Sequence, residues 1–201
     1  MRMEVRKMSR RREQAQFRLD PGDVKDLPEC EIAAILRGAD DLITQGGRTM
    51  LTKVLKGSRD KKVLKLGLDQ SPVYGHYSSL SQADILARID WVISSGYLGI
   101  EYEGRLPVLV YTEDGWAIER ETCARELLKG LDRLLAKGPP YDMGYLKDRN
   151  RGMILRLLEL IEESGNPSYI PLLRAWAEID YQKAGKRINA VIRSFDKLSP
   201  A

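Results

Sequence analysis

Hydrophobic residues recur at helical spacing through the first half of the chain. From Glu29 onward, the spacing of Ile32, Ile35, Leu36 and Ile43 predicts an amphipathic helix. The sequence QGG at residues 45–47 interrupts this pattern, because glycine is unfavourable inside a helix, and a second helical run follows it. A third, short helical segment is predicted over residues 63–66. The pattern therefore predicts short helices joined by glycine-containing turns.

The strongest helix signal in this half of the chain lies over residues 82–95. Ser81 and Asp84 have the spacing of a capping box, and Gly96 stands where a left-handed C-terminal cap is favoured. After Gly96 the period of the hydrophobic positions changes from about 3.6 residues to about 2, on both sides of the sequence EGRLP at residues 103–107. This change predicts a β-hairpin, and helices followed by a hairpin indicate a winged helix-turn-helix.

The second half of the chain consists of helix-length runs separated by turns. A helix is predicted over residues 116–137 and is closed by GPP. Three further runs follow: RGMILRLLELIEESG, PSYIPLLRAWAEI and KAGKRINAVIRSF. Short antiparallel helices of this kind pack side by side, as in an α-solenoid. The expected fold is mainly α with a small β-hairpin: a winged helix-turn-helix followed by an α-helical appendage.

The N-terminal sequence MRMEVRKMSRRREQAQFR is basic and has little apolar content before Phe17. Proline and glycine within LDPGD, at residues 19–23, break any helix there. We therefore expect three parts. They are a basic tail over residues 1–26, a winged-helix domain over residues 27–119, and a C-terminal helical segment over residues 120–201.

Charge is unevenly distributed along the chain, whose formal net charge is +4. Basic residues concentrate in the tail and in VLKGSRDKKVLKLGLDQSPVYGHY, at residues 54–77. Acidic residues concentrate in EYE, TEDG, ERE and ELIEE. This separation favours a polyanionic partner for the basic part, although a basic tail is also typical of a solubilising terminus.

Several classes of function lack support in the sequence. The longest apolar runs, such as YIPLL, fall far short of the roughly 20 residues that span a bilayer. We therefore expect a cytoplasmic protein without a membrane partner, associated with the nucleoid if bacterial. The loop GxxxxGK[ST] of a helicase motor is absent, and Cys30, Cys123 and His76 lack metal-ligand spacing. We expect no catalytic residue, metal, cofactor or small-molecule substrate.

The sequence KGSRDKK combines the groups that bind phosphate in nucleic-acid-binding proteins. Gly57 permits close approach of the backbone, and Ser58 is predicted to cap the following helix or to donate its hydroxyl to a phosphate. Basic residues surround the positive dipole end of that helix. The alternative is that these basic residues form only a solvated, charged face. The candidate DNA-binding residues of this stretch are Lys56, Gly57, Ser58, Arg59, Lys61 and Lys62.

Three stretches, in this order, resemble the RQC domain, the winged helix of RecQ-family DNA helicases: VLKGSRDKKVLKLGLDQSPVYGHY, IDWVISSGYL and VLVYTEDG. The resemblance covers nearly half of the chain. It implies a winged-helix domain that binds DNA, and it places phosphate contacts on Lys56, Ser58 and Lys62. Arg59 and Lys61 stand where the family more often has uncharged polar residues, so their role is inferred from charge alone.

The predicted hairpin departs from several better-known RQC domains, which carry an aromatic side chain at the tip that levers apart the end of a duplex. The tip here is EGRLP. Arg105 is a candidate DNA contact, and Leu106 is placed to press on a terminal base pair. Glu101 and Glu103 repel the DNA backbone. We therefore do not expect this wing to separate strands.

The C-terminal sequence SGNPSYIPLLRAWAEID resembles a HEAT-like helical pair, with fewer repeats than a free-standing solenoid needs. The resemblance to the RQC domain, together with the basic turn, implies a non-catalytic DNA-binding protein that grips duplex, forked or branched DNA through phosphates, in DNA replication, recombination or repair. Two alternatives stay open. In one, the C-terminal helices hold a protein partner and the winged helix has lost its DNA role. In the other, the basic surface holds structured RNA.

Overall fold

The computed structural model describes residues 18–147, 149–180 and 184–198, so the basic residues at positions 1–17 lie outside the described part. The α-helices and strands follow in chain order: α1 Glu29–Ala39, α2 Arg48–Lys56, α3 Lys61–Lys65, α4 Gln82–Ser94, β1 Leu98–Glu103, β2 Leu106–Tyr111, α5 Glu113–Lys137, α6 Arg151–Glu163, α7 Ile170–Ile179 and α8 Gly185–Leu198. The predicted fold class, mainly α with a small β-hairpin, is confirmed.

The chain divides into two compact units, Met1–Trp116 and Ala117–Ala201. In the first unit, α1, α2 and α4 pack against one another, and α3 lies in the connection between α2 and α4. The apolar positions that predicted these helices form the core of the unit. Its fully buried residues include Ile35, Leu51, Leu55, Ile89 and Val92. Burial of this apolar surface stabilises helices that are too short to be stable alone.

The hairpin is anchored to the connection between α1 and α2. Strands β1 and β2 pair antiparallel, with Leu98 opposite Tyr111. The Thr44 N–H donates to the Leu109 carbonyl at 2.9 Å, and the Leu109 N–H donates to the Gly46 carbonyl at 2.9 Å. These bonds extend the ladder onto a third segment, so the wing leaves the helical bundle from a fixed base.

Local sequence signals set the ends of α4. Ser81 and Asp84 form the predicted capping box, in which each side chain accepts from the other residue's backbone N–H. Gly96 follows the helix with φ of 84°, a conformation that glycine adopts without steric cost. Helix α3 begins two residues earlier than the pattern predicted, because Asp60 accepts a hydrogen bond from the backbone N–H of Lys62.

The second unit contains most of α5 and the helices α6, α7 and α8. Helix α8 packs against both α6 and α7, and the fully buried side chains there include Leu157, Trp176, Ile188 and Val191. Within the described residues, no helix is long and apolar enough to cross a membrane. The same part of the chain holds no group of three or more His, Cys, Asp or Glu side chains arranged for a metal ion.

Candidate nucleic-acid interface

The turn that follows α2 is built from a glycine in the left-handed conformation. Gly57 has φ of 75° and ends the helix. Its N–H donates to the Val54 carbonyl, and the Ser58 N–H donates to the Lys53 carbonyl, both at 2.9 Å. This is the Schellman arrangement, which satisfies the carbonyl groups at the helix end. The turn therefore has a fixed backbone before any ligand is considered.

The sequence VYG, at residues 73–75, forms a segment that packs backbone to backbone against this turn. The Gly75 N–H donates to the Val54 carbonyl at 3.0 Å, and the Tyr77 N–H donates to the Leu55 carbonyl at 2.8 Å. The Tyr74 hydroxyl donates to the Ser58 carbonyl at 3.1 Å. The KGS and VYG motifs, which are separated in sequence, therefore form one structural unit.

The prediction that Ser58 caps α3 is wrong. The capping residue is Asp60, whose Oδ1 accepts from the Lys62 N–H at 2.8 Å. The Ser58 Oγ instead accepts weakly from the Asp60 N–H at 3.3 Å. A carboxylate binds the start of α3 more strongly than a serine hydroxyl would, because it is charged. The positive end of this short helix is therefore met by Asp60.

Asp60 is held as an anion by its surroundings. Lys53 Nζ donates to Asp60 Oδ2 at 2.8 Å. This hydrogen bond, followed by the one from the Lys62 backbone N–H, lowers the pKa of Asp60 below its usual value. The positive charge of Lys53 is therefore committed to the protein.

Lys56 also contacts the protein itself. Its Nζ donates to the backbone carbonyls of Ser78 and Leu80, both at 2.7 Å. An ammonium group has three N–H donors, and these two bonds occupy two of them. Lys56 thus ties the end of α2 to the segment that leads into α4, so its role includes folding.

The remaining basic residues around α3 are directed to solvent. Val63 is fully buried and fixes how the helix is rotated. Successive residues are about 100° apart, so Lys61 and Lys65 lie on the side opposite Val63. Around α3, the exposed basic residues whose side-chain nitrogens make no hydrogen bond or ion pair within the described part of the chain are Arg59, Lys61, Lys62 and Lys65. We call these four residues the basic ridge.

Sequence reasoning did not include Lys65 among the candidate site residues. Its position four residues after Lys61 would have placed both on one helical face. It also missed two exposed apolar residues within the same stretch, Leu64 and Leu66, whose relative exposures are 46% and 54%. The rotation set by Val63 was the missing information.

The wing lies at the other end of α2. A Cβ atom added at Gly47, which precedes α2, would lie 2.7 Å from the carbonyl oxygen of Pro107 in β2. The nine residues of α2 span about 13 Å between this contact and the KGS turn. At the tip, Arg105 is exposed and Leu106 is 69% exposed. The structure therefore groups the residues of the basic ridge, and Arg105 belongs to a separate element.

Helix α4 presents a different charge pattern. Asp84 lies in its first turn, and its hydrogen bond from the Ser81 hydroxyl holds the pKa of the carboxyl below its usual value. Arg88 Nε donates to Glu31 Oε2 at 3.3 Å, which links α4 to α1. The start of α4 is therefore negative, in contrast to the basic ridge around α3.

Three packed helices, a hairpin wing and an exposed cationic ridge define a winged-helix nucleic-acid-binding domain. The family model of the RQC domain matches residues 28–129, and the chain belongs to that family. The RQC domain is a non-catalytic DNA-binding domain of RecQ helicases, so the predicted family and DNA binding in general are supported. No curated protein and no solved structure matched the chain.

Proposed function

We propose that this protein is a non-catalytic DNA-binding protein that grips duplex, forked or branched DNA through phosphate contacts. The single observation that carries the proposal is the basic ridge. Its four cations are exposed, and within the described residues their side-chain nitrogens form no hydrogen bond or ion pair. A cluster of unpaired cations releases counterions when it neutralises phosphates, which is the main source of DNA affinity in such proteins.

The other candidate residues have supporting roles in this proposal. Gly57 shapes the turn that presents Ser58, because the space beside its Cα is taken by Gly75. The Ser58 hydroxyl keeps its O–H to donate to a phosphate. Lys56 has one N–H donor left after its two carbonyl bonds. Arg105 adds a phosphate contact from the wing. All of these groups recognise phosphate, so we expect little base specificity.

The wider role that we propose is in DNA replication, recombination or repair, with no helicase motor in this chain. The proposed organisation has a basic tail over residues 1–26, a DNA-binding domain over residues 27–119, and a HEAT-like appendage over residues 120–201. In this arrangement the tail adds further phosphate contacts of low specificity, and the appendage is the part available for a protein partner.

The test measures fluorescence anisotropy of forked, blunt and single-stranded DNA across a salt series. Each phosphate contact that is removed lowers the slope of log affinity against log salt by about one unit. We expect Lys61→Ala and Lys62→Ala each to lower this slope, and the double variant to lower it further. Lys137→Ala is the matched control, because Lys137 is exposed at the end of α5 and lies outside both the proposed tail and the proposed DNA-binding domain. Affinity that does not depend on salt would contradict the proposal.

Structured RNA is the second candidate ligand, and the same basic ridge is the observation that favours it. Lysine and arginine neutralise the phosphates of either nucleic acid, so charge by itself does not select between them. A competition between DNA and RNA hairpins of matched sequence ranks the two ligands. If the RNA hairpin displaced the bound strand more strongly than the DNA hairpin did, structured RNA would become the proposed ligand in place of DNA.

A further inference from the structure

Two leucines flank the basic ridge. Leu64 and Leu66 are about half exposed, although leucine burial is a main source of stability in a small domain. Leu64 lies about 100° around α3 from Val63, next to Lys61 and Lys65. Leu66 follows directly after Lys65 on the opposite flank. The ridge is therefore a row of cations with an apolar side chain on each side.

A nucleic-acid backbone has a chemical pattern that complements this arrangement. Each phosphate is bonded to a sugar on both sides. In DNA the C2′ carbon of that sugar is a methylene group, whereas in RNA it carries a hydroxyl. A strand whose phosphates contact Lys61 and Lys65 would bring its sugars against the leucines, because neighbouring side chains on a helix surface are about 5–6 Å apart.

We infer that Leu64 and Leu66 select DNA over RNA by packing against deoxyribose. An RNA 2′-hydroxyl at the same place would lose water and find no hydrogen-bond partner on leucine. Burying an unpaired hydroxyl is unfavourable. The lysines supply affinity for either backbone, and the leucines supply the discrimination that phosphate contacts lack. This inference rests on the proposed function of the basic ridge.

The experiment compares four labelled hairpin duplexes of one sequence, bound to the whole chain. They are DNA, RNA, 2′-fluoro and 2′-O-methyl hairpins. The 2′-fluoro hairpin prefers an RNA-like sugar conformation but has no hydroxyl. We expect DNA and 2′-fluoro hairpins to bind about ten-fold more tightly than RNA. If the 2′-fluoro hairpin bound only as tightly as RNA, the selection would depend on sugar conformation, and the inference would be overturned.

The variants Leu64→Ser and Leu66→Ser provide a hydroxyl partner in place of apolar surface. We expect each to weaken DNA binding several-fold with an unchanged salt slope, and the double variant to bind DNA and RNA within about two-fold of each other. Ile179→Ala is the matched control, since Ile179 is 39% exposed and lies in the second unit. Thermal unfolding of each variant checks that the fold is retained.

The outcomes separate this inference from the proposed function. Salt-dependent DNA binding that the lysine variants reduce, with an unchanged DNA preference in both leucine variants, would contradict only the role of the leucines. Absence of salt-dependent DNA binding would contradict both. Displacement of DNA by an acidic leucine-containing peptide from the wild type, but not from the leucine variants, would assign the leucines to a protein partner and overturn the inference.

Discussion

The Cα atom of Gly75 lies 3.1 Å from the position that a Cβ atom on Gly57 would occupy. Both glycines have positive φ, at 75° for Gly57 and 73° for Gly75. A Cβ atom on Gly75 would lie 3.7 Å from the Gly57 Cα, which is an ordinary contact. Gly57 is therefore constrained by its conformation and by its neighbour, whereas Gly75 is constrained by conformation alone.

This difference predicts an order of stability. We expect Gly75→Ala to lower the free energy of unfolding by about 1 kcal/mol, the usual penalty for the left-handed conformation. Gly57→Ala has the same penalty plus a close backbone contact, so we expect a loss of about 2 kcal/mol or more. Urea unfolding measures both values. Equal losses would show that the backbone contact adapts to the methyl group.

Lys56 and Lys62 provide a second comparison. We expect Lys56→Ala to lower the free energy of unfolding by about 1 kcal/mol, because two backbone carbonyls lose a charged donor. The Lys62 side chain is exposed, so Lys62→Ala leaves stability within about 0.5 kcal/mol of the wild type. Both variants are measured by urea unfolding and by the salt dependence of DNA binding. If Lys56→Ala lowered the slope of log affinity against log salt but left stability unchanged, Lys56 would act mainly as a DNA contact.

The pair of Arg48 and Asp90 links the start of α2 to α4. Arg48 Nη1 donates to Asp90 Oδ1 at 2.6 Å, and the Asp90 side chain is 3% exposed. Removal of the arginine leaves a buried carboxylate with less compensation, so we expect Arg48→Met to lower the free energy of unfolding by about 3 kcal/mol. The double variant Arg48→Met with Asp90→Leu loses less than the sum of the single variants, as a double-mutant cycle measures. Additive losses would contradict this coupling.

The contribution of Asp60 to stability, made at the start of α3, depends on pH. Its pKa in the folded state is lowered, first by the hydrogen bond from Lys53, from a usual value of 3.8. The charged carboxylate therefore adds stability above about pH 4, and this contribution is lost as pH falls through the lower folded-state pKa. Asp60→Asn keeps a good capping side chain without the charge. We expect the stability difference between wild type and this variant to shrink on acidification, as measured by thermal unfolding across pH.

The contribution of Tyr77 to stability depends on pH in the opposite direction. Burial raises the pKa of its hydroxyl well above the usual value of 10.0, and the hydrogen bond to Glu31 at 2.9 Å raises it further. The folded state thus keeps a proton that the unfolded chain releases, so this contribution to stability falls as pH rises above about 10. Tyr77→Phe lacks this dependence and loses about 1 kcal/mol at neutral pH. Parallel pH profiles of the wild type and this variant would contradict the assignment.

The sequence predicted the elements whose signals are local. The spacing of Ser81 and Asp84 specified the start of α4, since a capping box involves only a few consecutive residues. Gly96 marked its end, and the change of period after it predicted the hairpin. Apolar spacing likewise predicted the buried faces of α1 and α2. The order of short motifs was sufficient to predict the RQC family, which the family match confirmed.

By itself, then, the sequence determined the helices, the hairpin, the family and the presence of a basic stretch. Only the tertiary structure decided which charges in that stretch are available. Lys53 and Lys56 are bound to Asp60 and to backbone carbonyls, while Lys62 is exposed. The physical reason is that burial of Val63 sets the rotation of α3, and long-range packing of the VYG segment against the turn supplies the carbonyls. Neither relationship has a local signal in the sequence.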